Sequence, residues 1–217
     1  MMISRKQLQL YFVMGSSNCR ENPEQTLMKA IRGGITCFQF REKGKGSRRG
    51  RAKFELALQL KTICREYNIP FIVNDDVNLV LEIDADGIHI GQEDDSPLEV
   101  RRMLGRKILG ISAHNTEEAR EAVKNGADYL GVGPMFPTRT KKDCREVRGP
   151  EVIREIRSDG ITIPITGIGG IKSSNLDQVI QAGADGVAVI STISHSRDPE
   201  MIARELITRI KPLTADD

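Results

Sequence analysis

The sequence predicts an α/β protein, a single (β/α)8 TIM barrel spanning residues 1–217. Three observations predict it. Short apolar runs rich in β-branched residues alternate with helical patterns along the whole chain, as parallel strands joined by crossover helices do. There are eight such runs. Polar and charged residues gather just beyond them, where the βα-loops of such a barrel build its active face.

In order, the strands read as Leu10–Met14, Thr36–Phe40, Phe71–Val73, Gly87–Ile90, Ile108–Ile111, Tyr129–Val132, Ile163–Thr166 and Gly186–Ile190. Helices fall between and after them at Pro23–Arg32, Arg51–Tyr67, Val77–Ile83, Pro97–Leu104, Thr116–Lys124, Pro150–Arg157, Ser173–Gln181 and Pro199–Ile210. Proline near a first turn and Gly or Asn just past an end (Gly33, Asn68, Gly105, Asn125, Gly183) punctuate several of them. A weak repeat, Asp84-Ala85-Asp86-Gly87, Gly126-Ala127-Asp128-Tyr129 and Gly183-Ala184-Asp185-Gly186, leads three times from a helix into a strand. The same corner used three times indicates repeated βα units in one domain.

At 217 residues the chain is at the short end for this architecture. Hydrophobic residues make up 39% and charged residues 29%, a soluble globular composition. Thirty-two Lys and Arg against 30 Asp and Glu give +2, which argues against bulk attraction to nucleic acid or an anionic membrane. Cys19, Cys37, Cys64 and Cys144 form no CxxC pair, so a reducing, cytoplasmic setting is expected. The apolar stretch Leu10–Met14 is far too short to span a membrane.

Gln39, Arg41 and Lys43 alternate at period two, which places them on one side as the chain leaves a strand. Two cations and an amide at one mouth suit a phosphate or pyrophosphate. The basic run Lys45, Arg48, Arg49, Arg51 has no aromatic platform for bases and reads as a solvated lid. Asn74-Asp75-Asp76 and Glu93-Asp94-Asp95 offer carboxylates on neighbouring loops, where Mg²⁺ is commonly held with substrate oxygens and water. Spacing does not choose Asp75 over Asp76, or Asp94 over Asp95, and Asp76 also suits a helix cap. Ser112 ends the fifth strand as a donor to a phosphate or ring atom, or as a turn residue. His89, inside an apolar strand, reads as a hydrogen-bonded structural histidine, and His195 as a loop residue.

The run Gly133 to Lys142, rich in Pro and hydroxyls, reads as an active-site lid whose Thr138, Thr140 and Lys141 can meet anionic oxygens. Gly167-Ile168-Gly169-Gly170 precedes a helix, and Ile190-Ser191-Thr192 ends the eighth strand. Barrels frequently hold a phosphate between those two loops.

Taken jointly and in this order, QFREK (39–43), VNDD (73–76), DGIHIGQED (86–94), GISAH (110–114), DYLGVGPMFPTRTKK (128–142), TGIGGI (166–171) and GADGVAVIS (183–191) resemble the thiamine-phosphate synthase (thiamine-phosphate pyrophosphorylase) family. The resemblance runs from about Leu10 to Leu206. It implies a transferase that joins 4-amino-2-methyl-5-hydroxymethylpyrimidine diphosphate to thiazole phosphate, or to its carboxylated form with loss of carbon dioxide. Pyrophosphate leaves and thiamine monophosphate forms.

By the same resemblance, the pyrimidine diphosphate meets Gln39, Phe40, Arg41, Glu42, Lys43, Asn74, Ser112 and Lys141. Asp75 and Asp94 match the ligands of one Mg²⁺. Thr138 and Thr140 match thiazole-phosphate contacts, and Gly170, Ile190 and Ser191 match its phosphate site. Arg41, Lys43, Ser112 and Lys141 are the expected catalytic groups. A thiazole tautomerase is the nearest alternative, but it has no use for a diphosphate site. A non-catalytic precursor sensor needs no complete magnesium constellation, and an epimerase-like sugar-phosphate barrel does not explain QFREK with VNDD. A homo-oligomer is compatible with the sequence.

Overall fold

The computed structural model describes residues 3–138 and 146–214. Its strands are β1 (Leu10–Met14), β2 (Cys37–Phe40), β3 (Phe71–Asn74), β4 (Gly87–Ile90), β5 (Ile108–Ala113), β6 (Tyr129–Val132), β7 (Ile165–Ile168) and β8 (Gly186–Val189). They form one closed parallel barrel in sequence order, with β8 pairing back to β1. The helices are α1 (Pro23–Gly33), α2 (Gly50–Glu66), α3 (Val77–Glu82), α4 (Pro97–Leu104), α5 (Thr116–Lys124), α6 (Glu151–Ser158), α7 (Leu176–Gln181), α8 (Ser191–Ser194) and α9 (Pro199–Leu213). The expected (β/α)8 barrel is therefore the fold found.

Local chemistry sets several helix starts. Asn22 accepts from Glu24 N at 2.8 Å ahead of Pro23, and Asn115 and Asp198 cap α5 and α9 in the same manner. Two elements begin two or more residues later than the sequence reading. β7 begins at Ile165 and not Ile163, because Pro164 has no N–H for the ladder, although its carbonyl still accepts from Leu130 N at 2.9 Å. α7 begins at Leu176, since Asn175 Oδ1 accepts from Lys172 N at 2.8 Å and holds the preceding residues as a turn.

Strand parity divides the core in two. Outward residues such as Phe12, Phe38, Phe40 and Phe71 pack in the layer between strands and helices. Inward residues Tyr11, Val13, Cys37, Ile72, Ile108, Tyr129 and Ala188 fill the barrel, with Ile3 and Leu8 in the same cluster. Room for Tyr129 and His89 comes from missing side chains: a methyl on Gly110 would overlap the Tyr129 ring, and one on Gly131 would stand 2.8 Å from His89 Cε1. Gly110→Ala is accordingly expected to cost about 1–3 kcal/mol by overpacking, read as a lowered thermal midpoint.

The repeated corners have a shared purpose. Asp86, Asp128 and Asp185 each accept from a backbone N–H at the start of the preceding strand, at Phe71 (2.8 Å), Leu109 (2.8 Å) and Ile165 (2.6 Å). Each also donates its own N–H to that residue's carbonyl. Thr36 brackets Leu10 in this way at the first corner, with its Oγ1 accepting at 2.9 Å. Strands thus form bracketed pairs, β1–β2, β3–β4, β5–β6 and β7–β8. Arg101 and Arg157 extend the last two brackets, binding the aspartate at 2.7 Å together with three neighbouring carbonyls each.

Candidate active site

A cavity of about 640 Å³ opens at the C-terminal ends of the strands. Gln39, Arg41, Asn74, Ser112, Thr138, Gly170, Ile190 and Ser191 all line it, so residues scattered through the sequence converge as expected. Thr140 and Lys141 lie outside the described residues. Phe40 and Glu42 also belong to the expected contact segment, but their side chains turn away from this cavity. Phe40 stacks on Phe71 outside the barrel, with ring centroids 6.2 Å apart. Glu42 is buried and accepts from Ser16 N at 2.7 Å and Arg48 N at 2.6 Å, joining the loops after β1 and β2. Period two accounts for Phe40, which lies between the cavity-lining Gln39 and Arg41.

Lys43, Asp75 and Asp94 do not line this cavity but cluster on the loops after β2, β3 and β4, where the Lys43 ammonium pairs with Asp75 and lies 4.0 Å from Asp94 Oδ1. Asp75 has a positive φ of 62°, a conformation uncommon outside glycine, and its N–H donates to His89 O at 3.0 Å. Asp94 is fixed by Gly91 N, which donates to its Oδ2 at 2.7 Å. Burial, then the hydrogen bond with Asp94, pushes the Asp75 carboxyl up to about 6 against the opposing pull of Lys43.

Asp76 has a different environment. It caps α3 through Leu79 N at 3.0 Å and pairs with Lys53 at 2.6 Å. Despite partial burial, those bonds hold its carboxyl below the usual range. Asp76 is thus engaged by α3 and Lys53, whereas Asp75 faces Lys43 and Asp94. Asp76→Ala is expected to lose about 1 kcal/mol of stability, the usual value of a cap, with catalysis largely kept. Thermal melting and turnover on the same sample check it.

Among the described residues no group of three or more His, Cys, Asp or Glu is arranged as a metal cage. Two adjacent carboxylates that resist joint ionisation, with a cation already between them, nonetheless suit a hard divalent ion completed by substrate oxygens and water.

The floor holds a polar chain that sequence reasoning did not assemble. Gln39 Nε2 donates to Tyr11 Oη at 2.8 Å, and Tyr11 Oη meets Tyr129 Oη at 2.8 Å. His89 bridges Tyr129 Oη to Ser112 Oγ at 3.0 Å on each side. Desolvation raises both tyrosine pKa values well above normal, so the phenols stay protonated as hydrogen-bond donors. The expectation of a hydrogen-bonded His89 holds, with the addition that it also lines the cavity. Gln92 Nε2 donates to Ser112 O at 2.6 Å, linking the loop that carries Asp94 to this floor. At the opposite wall, Gly170 has φ 64°, and any Cβ there would come within 2.7 Å of Pro137 O. Glycine is required where these two loops meet.

Comparison with known proteins agrees with this geometry. A family model described as thiamine monophosphate synthase matches residues 10–193. The chain belongs to the thiamine monophosphate synthase family. It is 54% identical over 206 residues to a thiamine-phosphate synthase of Bacillus cereus (strain B4264), covering 95% of this chain and 94% of the relative. A thiamine-phosphate synthase of Geobacillus thermodenitrificans is 52% identical over 207 residues, with 95% and 94% covered. Among solved structures, thiamine phosphate pyrophosphorylase from Pyrococcus furiosus superposes with a TM-score of 0.87 at 35% identity, covering 96% of this chain and 98% of that one. Family membership makes the chain a transferase of thiamine biosynthesis. Among the described residues no helix is long and apolar enough to cross a membrane.

Proposed function

We propose that the chain couples 4-amino-2-methyl-5-hydroxymethylpyrimidine diphosphate to thiazole phosphate, or to carboxythiazole phosphate with loss of carbon dioxide, forming thiamine monophosphate and pyrophosphate. One observation carries this reading. Arg41 and Asn74 line the cavity together with Gly170, Ile190 and Ser191, and the Lys43–Asp75–Asp94 cluster stands on the adjoining loops after β2, β3 and β4. Two anionic substrates can therefore be held facing each other over a largely uncharged floor.

The chemical task is to let pyrophosphate leave the pyrimidine methylene carbon and to bring the thiazole nitrogen to the carbon that remains. Arg41 and Lys43 place fixed positive charge where the leaving group gains negative charge, with Lys141 as the expected third cation. A Mg²⁺ held by Asp75 and Asp94 would add charge neutralisation and grip on the diphosphate oxygens. Ser112 and Gln39, tied together through Tyr11, Tyr129 and His89, orient the pyrimidine ring. Holding both rings in line supplies the remaining acceleration, and no covalent enzyme intermediate is needed.

Incubation with both substrates and Mg²⁺, followed by oxidation and fluorescence detection, is expected to reveal thiamine phosphate. An isomerised thiazole without coupled product would indicate tautomerase activity and refute this reading.

A further inference from the structure

Thr166 lies in β7, is 1% exposed and lines the cavity. Its Oγ1 is buried and has no hydrogen-bond partner among the described residues. Its registered neighbours on both sides are glycines, Gly131 on β6 and Gly186 on β8, so no adjacent side chain covers the hydroxyl within the sheet. A buried hydroxyl left unmatched is costly, and valine would fill the same space without that cost. Such a group is accounted for when a ligand atom completes it.

The surroundings decide what kind of atom. The lysine and arginine that line the cavity, Lys172 and Arg41, sit on loops beyond the strand ends, whereas Thr166 lies within a strand, as do Tyr11, Gln39, His89 and Ser112. A phosphate group at this depth would lack a counter-charge; a flat polar ring would not need one. The strand decides which ring. Thr166 stands four residues before Gly170 on β7, and the adjacent β8 leads into Ile190 and Ser191, the wall expected to hold the thiazole phosphate. Gln39, Asn74 and Ser112, expected at the pyrimidine, come from β2, β3 and β5.

We propose that Thr166 is a specificity-determining residue whose hydroxyl hydrogen-bonds the ring portion of the thiazole phosphate and fixes its orientation. This rests on the coupling reaction proposed above. Thr166→Val removes the hydroxyl at nearly constant shape, and Thr166→Ser keeps it. Steady-state coupling, with each substrate varied in turn, is expected to show KM for thiazole phosphate raised roughly three- to tenfold in Thr166→Val, with KM for the pyrimidine diphosphate unchanged. Thr166→Ser should stay within about twofold of the parent chain. Thermal melting of both variants monitors folding; a Thr166→Val protein that melts early is read through Thr166→Ser and a Thr166→Cys variant, which must then rank by hydrogen-bonding strength. Unchanged KM for thiazole phosphate, or an effect confined to the pyrimidine substrate, overturns the assignment. Absence of coupled product from the unaltered chain instead refutes the reaction itself, and the assignment with it.

Discussion

Asp94→Ala is expected to slow pyrophosphate release by a factor on the order of 10²–10³ while leaving the barrel folded. Asp94 sits on the loop after β4 and accepts from Gly91 N at 2.7 Å within that loop. Its loss does not touch the strand ladder. The lost group would remove half of the carboxylate pair and leave Asp75 with Lys43 alone. Burial remains as a reason for the Asp75 carboxyl to resist ionisation, whereas the contribution of Asp94 disappears, so its pKa should fall from about 6. The distinguishing signature is a raised Mg²⁺ requirement accompanying the lower rate, measured by following pyrophosphate at saturating concentrations of both substrates. A folded Asp94→Ala protein working at nearly the parental rate excludes the metal role.

The second large effect concerns stability. Asp185→Ala is expected to cost about 3 kcal/mol, because removal of one partner strands a charge that the fold has partly buried. Asp185 is 6% exposed and meets Arg157 at 2.7 Å, Arg5, and the Ile165 N–H at 2.6 Å. Arg157 keeps its bonds to the carbonyls of Gly183, Ile161 and Ile163, which limits the loss to the lower end of the usual range. For a chain of this length the thermal midpoint should fall by roughly 6–12 °C. The catalytic mouth lies at the opposite strand ends, so turnover at low temperature should be retained. A midpoint within 2 °C of the parent, at about 1 kcal/mol or less, would show that the bracket contributes little.

Much of this architecture is readable from sequence because strands buried on both faces appear as continuous apolar runs. β1, β4 and β6 are read to the residue, whereas β7 starts late where Pro164 interrupts the ladder and runs on to Ile168, two residues past its expected end. The four-residue α8 is missed, since it follows β8 directly without a polar break to announce it. At the site, Arg41, Asn74, Ser112 and Gly170 follow from their places after strands. Tyr11 and Tyr129 do not. Each lies inside an apolar run, and its approach to a partner on a distant strand depends on closure and register, which no local pattern encodes. Phe40 and Glu42 show the limit of a contiguous motif, since their side chains do not line the cavity that Gln39 and Arg41 line.

The bracketed strand pairs carry a consequence for how the chain can be divided. An opening made within α4 would leave all four brackets whole, two in each half, and Arg101 would still reach across to Asp128. A cut one helix later, in α5, would part Asp128 from Leu109 and undo the corner it fastens. The cylinder is in this sense modular, and its halves should recognise each other along seams already shaped to meet.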